Sequence, residues 1–198
     1  MVFQLIKLNI DVSDESFNEI YPESIRKFSG RHWTPVAVAK MAAAYLADQP
    51  GARVLDIGSG AGKFCMIGAA STQGYFSGVE QRSELVKFCE KAARIHHLKN
   101  VSYINANITS VDFNGYDAFY LFNPFRENID KSALIDESVV TGPHLFDFYG
   151  KYVYENLSKC RIGTRVATYW NSVTDVPSEY TVVGTGFEGR LNLFEKIR

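Results

Sequence analysis

Three glycines at alternate positions, Gly58, Gly60 and Gly62, follow directly on the apolar run Arg53–Ile57, and nothing else narrows the fold of this chain so far. A short apolar run with glycine on both sides reads as a strand buried on both faces. The glycines remove the Cβ atoms that would block a turn with unusual dihedrals, and they let the backbone approach a ligand closely. Strand, glycine turn and helix together make the ligand-binding corner of an open α/β sheet, where ligands sit at the carboxyl ends of the strands. The exposed N–H groups of the following helix favour a carboxylate or phosphate there. The dinucleotide fingerprint needs a third glycine where Lys63 stands, and a P-loop needs Ser or Thr where Phe64 stands, so the Gly-x-Gly-x-Gly spacing fits neither.

Around this corner the chain alternates strand and helix patterns. Residues 17–28 carry apolar groups at one-face helical spacing, and Thr34-Pro35 reads as a cap and first-turn proline ahead of a helix over 36–46. Further helices are expected at 64–71, 83–94 and 144–157, and strands at 75–80, 101–105, 116–122 and 165–170. The last two strands, 180–185 and 191–196, are joined by Gly184-Thr-Gly-Phe-Glu-Gly189, which leaves no room for a helix and implies an antiparallel hairpin. The expected fold is α/β: a doubly wound, seven-stranded, mostly parallel sheet ending in an antiparallel hairpin. At 198 residues the chain reads as one domain, with a helical cap over 1–50, an α/β core over 51–198 and a substrate-side loop over 126–142.

Polar residues collect at the same sheet end. Gly78-Val-Glu80 puts a carboxylate at the end of the second strand, with two acceptor oxygens for a pair of ribose hydroxyls. The third strand leads into Asn105-Ala-Asn107-Ile108, and the fourth ends in Leu121-Phe-Asn-Pro-Phe125. With Asp56 two residues ahead of Gly58, the glycine spacing resembles motif I of class I S-adenosylmethionine-dependent methyltransferases, a Rossmann-like family. The resemblance implies S-adenosyl-L-methionine as cofactor, held around Asp56, Gly58, Ser59, Gly60 and Gly62, with Glu80 on the ribose. It puts Asn107, where the family usually has Asp, and Ile108 at the adenine, and it puts Thr34 near the donor's carboxylate. Asn123, Pro124 and Phe125 fall where donor and acceptor meet and are the catalytic candidates. They are similar to the Asn-Pro-Pro-aromatic motif of nitrogen methyltransferases but lack its second proline, so no acceptor atom is assigned.

With 21 Lys plus Arg against 22 Asp plus Glu, the net charge of −1 provides no field for a polyanion, and nucleic acid is not indicated as a partner. Cys65, Cys89 and Cys160 lack metal-ligand spacing and read as reduced core thiols, which suits the cytoplasm. His32, His96, His97 and His144 share no helical face with carboxylates, so no metal is expected. No apolar stretch approaches the roughly 20 residues of a membrane span. The aromatics Phe146, Phe148, Tyr149, Tyr152 and Tyr154 read as core. Two functional readings follow: a methyltransferase acting on a small molecule or a protein, or a methyltransferase-like binding module. An NAD-dependent oxidoreductase is disfavoured by the glycine spacing, and the oligomeric state is unassigned.

Overall fold

In the computed structural model, which describes residues 1–198, the sheet has the order β3-β2-β1-β4-β5-β7-β6. Its strands are β1 (Arg53–Ile57), β2 (Tyr75–Glu80), β3 (Val101–Asn105), β4 (Ala118–Phe122), β5 (Arg165–Tyr169), β6 (Tyr180–Gly186) and β7 (Leu191–Lys196). The first five run parallel, and β7 is antiparallel to both of its neighbours, β5 and β6. Successive side chains along the central strands face opposite sides. Val54, Ala118 and Tyr120 pack under α5 (Val36–Leu46) and α6 (Lys63–Ser71), while Leu55, Ile57, Phe119 and Leu121 pack with Tyr149, Val153 and Leu157 of α8 (Pro143–Lys159). Burial on both faces explains why β1 and β4 are continuous apolar runs. The side chains of α7 (Ser83–Ile95) join the α5 and α6 layer through Leu85, Ala92 and Ala93.

The N-terminal region departs from the periodicity reading. Instead of one helix over 17–28 there are three short ones, α2 (Asp14–Asn18), α3 (Glu23–Arg26) and α4 (Ser29–His32), after α1 (Val2–Lys7). Pro22 N-caps α3; it lacks an N–H and turns Tyr21 away from helical dihedrals. Phe17 and Tyr21 are buried all the same, so the apolar spacing reported burial rather than a continuous helix. Nor does Thr34 cap α5. Pro35 holds the N-cap position, and the Asp14 carboxylate accepts from the Val36 N–H at 2.9 Å. The same Asp14 oxygen accepts from buried Lys63 at 2.5 Å, which ties the cap to the first residue of α6. Segment 126–142 contains two short 3-10 turns, Arg126–Asn128 and Lys131–Ala133.

Candidate active site

Gly58, Gly60 and Gly62 all adopt left-handed dihedrals, with φ of +74°, +51° and +72°. Their neighbours leave no room for side chains. A Cβ on Gly58 would lie 2.8 Å from Pro124, one on Gly60 2.4 Å from the Trp33 ring, and one on Gly62 2.6 Å from the Tyr103 hydroxyl. The N–H groups of Gly58 and Ser59 donate to the Val79 carbonyl at 3.1 and 3.0 Å, which fastens the turn to β2. Gly58 and Gly60 line a cavity of about 390 Å³, whereas Asp56, Ser59 and Gly62, also expected at the cofactor, do not. Asp56 is buried and accepts from the Cys65 thiol at 3.5 Å. Burial raises its pKa; the Cys65 contact opposes this, the Glu80 charge adds to it, and the result is pushed up to about 7.

Glu80 lines the same cavity from the end of β2. Its carboxylate accepts from the Gly60 N–H at 3.2 Å and the Arg82 N–H at 2.9 Å. Burial holds its pKa above the usual range, against the pull of these bonds and of the Arg82 charge. Sequence reasoning missed Arg82. Its buried guanidinium makes a bidentate pair with Glu127 at 2.9 and 2.8 Å, binds Asp136 at 3.0 Å and lies 3.8 Å from Glu80. A second tie joins Arg31 to Asp130 at 2.6 Å. The two ties hold Glu127, Asp130 and Asp136 of segment 126–142 to Arg82 and Arg31, beside the cavity. In the sequence Arg82 is one charged residue ahead of an amphipathic helix, and only partners some 45 and 54 positions away reveal its role.

Asn123, the residue after β4, has a φ of +41°, and its N–H donates to the Asn171 side chain at 2.9 Å. With Pro124 it forms the wall between the first cavity and a second of about 370 Å³, which lies against Phe146 and Tyr154 of α8. Phe125 packs on Tyr149 with ring centroids 5.4 Å apart. It also closes a slot of about 40 Å³ lined by Val79, Ala106 and Ile108, the place expected for an adenine. Asn107 does not line that slot. Its oxygen accepts from the N–H and hydroxyl of Thr109 at 3.0 and 2.9 Å, and its NH₂ donates to Gln81 at 3.0 Å and Tyr149 at 2.8 Å. Thr34 is likewise turned inward, 3.0 Å from the Tyr120 hydroxyl. The neighbours His32, Trp33 and Pro35 face the cavity instead. His32 has its pKa lowered by burial and then by Arg31, which keeps it neutral near pH 7.

The family model described as a methyltransferase domain matches residues 48–140, from the end of α5 through the glycine turn, Glu80 and Asn123. That match covers just under half of the chain. The fold of the chain is similar to that of TrmN from Thermus thermophilus, with 20% identity and a TM-score of 0.62 over 87% of this chain and 52% of that one. The chain thus spans about half the length of TrmN. An RNA methyltransferase from Salinibacter ruber in complex with S-adenosyl-L-homocysteine matches with 18% identity and a TM-score of 0.58, over 83% of this chain and 92% of that one. A mutant of MtNAS in complex with S-adenosylmethionine matches over 98% of this chain and 72% of that one, with 13% identity and a TM-score of 0.58. No curated protein matches the sequence.

Proposed function

We propose that the protein transfers a methyl group from S-adenosylmethionine to a small-molecule acceptor held in the 390 Å³ cavity. The observation that carries this reading is that Gly58, Gly60, Glu80 and Asn123 meet around one cavity beside segment 126–142. The residues suit the donor: exposed Gly58 and neighbouring Gly60 present backbone to the cavity for an amino-acid moiety, Glu80 offers a carboxylate to ribose hydroxyls, and Val79, Ala106 and Ile108 flank a slot for a flat ring. When bound, the donor supplies a methyl group on a sulfonium sulfur, which keeps the C–S electron pair as the acceptor's lone pair takes the methyl. The chain's own work is proximity and alignment. The Asn123 amide offers both a hydrogen-bond donor and an acceptor for orienting the nucleophile, and neutral His32 in the cavity wall is able to take a proton.

Calorimetry with S-adenosylhomocysteine and NAD side by side tests the donor. The expected result is a dissociation constant of about 1–100 μM for the former, on the order of −5 to −8 kcal/mol, and no heat from NAD. NAD binding without adenosyl binding refutes the reading. An RNA acceptor is a second reading, supported by the likeness to the Salinibacter ruber RNA methyltransferase. The net charge of −1 and the tied-down segment weigh against it. Labelled methyl recovered in the RNA fraction of a cell extract, rather than in the small molecules, decides for RNA.

A further inference from the structure

The part of the cavity built at the ends of β4 and β5 is aromatic. Phe122 and Tyr169 pack with centroids 5.0 Å apart, and Trp170 continues the wall. Trp170 adopts a φ of +59°, a region that bulky side chains rarely enter, and its side chain is left half-exposed. Its N–H donates to the Arg190 carbonyl at 2.9 Å, and the Arg190 guanidinium lies 4.9 Å from the ring centroid. A tryptophan held in strained backbone but not buried adds little to the core. It gives the cavity mouth a flat face, and strain of this kind collects at binding sites.

Charge supplies the second half of the argument. Arg82 is satisfied by Glu127 and Asp136, Glu80 by two backbone N–H groups, and Arg31 and Asp130 by each other. Arg126 remains. Its side chain makes no hydrogen bond, and its nearest carboxylate oxygen lies 3.9 Å away on Asp130, the same oxygen that Arg31 holds at 2.6 Å. The cavity therefore presents, together with an aromatic wall, one guanidinium whose only ion-pair contact is a long one to a carboxylate already shared with Arg31, and which is 58% exposed.

Building on the methyl-transfer reading, we propose that the acceptor is an aromatic carboxylate, its ring against Trp170 and Tyr169 and its carboxylate on Arg126. The planar guanidinium matches a carboxylate in two parallel hydrogen bonds. The test uses 4-hydroxybenzoate and 4-hydroxybenzamide, which share size and ring but differ in charge. Binding to the full chain is followed by calorimetry, with and without saturating S-adenosylhomocysteine. The benzoate is expected to bind at least tenfold more tightly than the amide. Arg126→Gln should shrink that preference to within twofold, and Trp170→Ala should weaken both probes about equally. Both variants should keep S-adenosylhomocysteine affinity within threefold, which also reports that they fold. Equal binding of the two probes, no binding of either, or an unchanged preference in Arg126→Gln overturns the assignment while the donor still binds. Absence of donor binding overturns the methyl-transfer reading itself, and the acceptor assignment with it.

Discussion

Replacing Asp56 by Asn should stabilise the protein, and by an amount that grows with pH. Burial lifts the Asp56 carboxyl from an ordinary value of 3.8 to about 7. Below the lower value the group is protonated in both the folded and unfolded chains and contributes nothing. Between the two values the unfolded chain ionises while the folded one keeps its proton, so stability drains by about 1.4 kcal/mol per pH unit. Above pH 7 both forms are ionised, and the accumulated loss is on the order of 4 kcal/mol. Asn carries no such loss, so the difference between variant and parent should rise from near zero at pH 4 to about 4 kcal/mol at pH 8. For a chain of this size that is roughly 8–16 °C in Tm. Taking the difference removes what the two proteins share, including His32 and His96, whose lowered pKa values act in the opposite sense and cost stability in acid. Urea melts of both proteins at several pH values from 4.5 to 8.5 give the measurement. A constant offset from rehousing the amide is compatible with the reasoning; a difference that does not change with pH refutes it.

Gly60→Ala should lower Tm and cut S-adenosylhomocysteine affinity at least tenfold, because its Cβ would stand 2.4 Å from the Trp33 ring on a left-handed backbone; unchanged melts and calorimetry count against the turn geometry. Arg82→Met should free segment 126–142, seen as faster proteolytic cleavage there. The cost should be about 2 kcal/mol, below the ~3–5 of a fully buried pair because the Asp136 side chain is 48% exposed. Glu80→Ala should weaken donor binding more than Asn107→Ala, since Asn107 is spent on local bonds; equal losses in calorimetry would reverse the ribose and adenine ends. Asn123→Ala and Asn123→Gly should both lower turnover at least tenfold, about 1.4 kcal/mol in the barrier, with donor affinity within threefold. Only the alanine variant should also lose stability, because its backbone must hold a φ of +41°.

What the sequence discloses depends on how far apart the interacting residues lie. The limits of β1 and β7 are read correctly because apolar runs and glycines mark them locally, and the place of Glu80 at the cavity is legible because it closes a strand one crossover after the turn. Arg82 is hidden because its meaning depends on Glu127 and Asp136, which no local pattern links to it. Trp170 is hidden for another reason: a left-handed tryptophan has no composition signal, so it reads as the last residue of a strand. Thr34 and Asn107 show the converse limit, where the right residue type stands in the right stretch but tertiary hydrogen bonds turn its side chain elsewhere.

The place of β7 between β5 and β6 bears on how the chain is made. As it leaves the ribosome, β6 emerges before the strand that will carry it, and its ladder is with β7 alone. Until β7 follows, β5 also keeps an open edge, a template for pairing with other chains. Lys196, near the end of β7, completes a second unit late: its buried ammonium reaches the carbonyls of Leu157 and Ser158 at the C-terminal end of α8. Loss of the β7 residues would therefore unpair a hairpin, bare a strand edge and uncap a helix together, so chains cut back before residue 191 should be bound by chaperones far more than those that include residue 196.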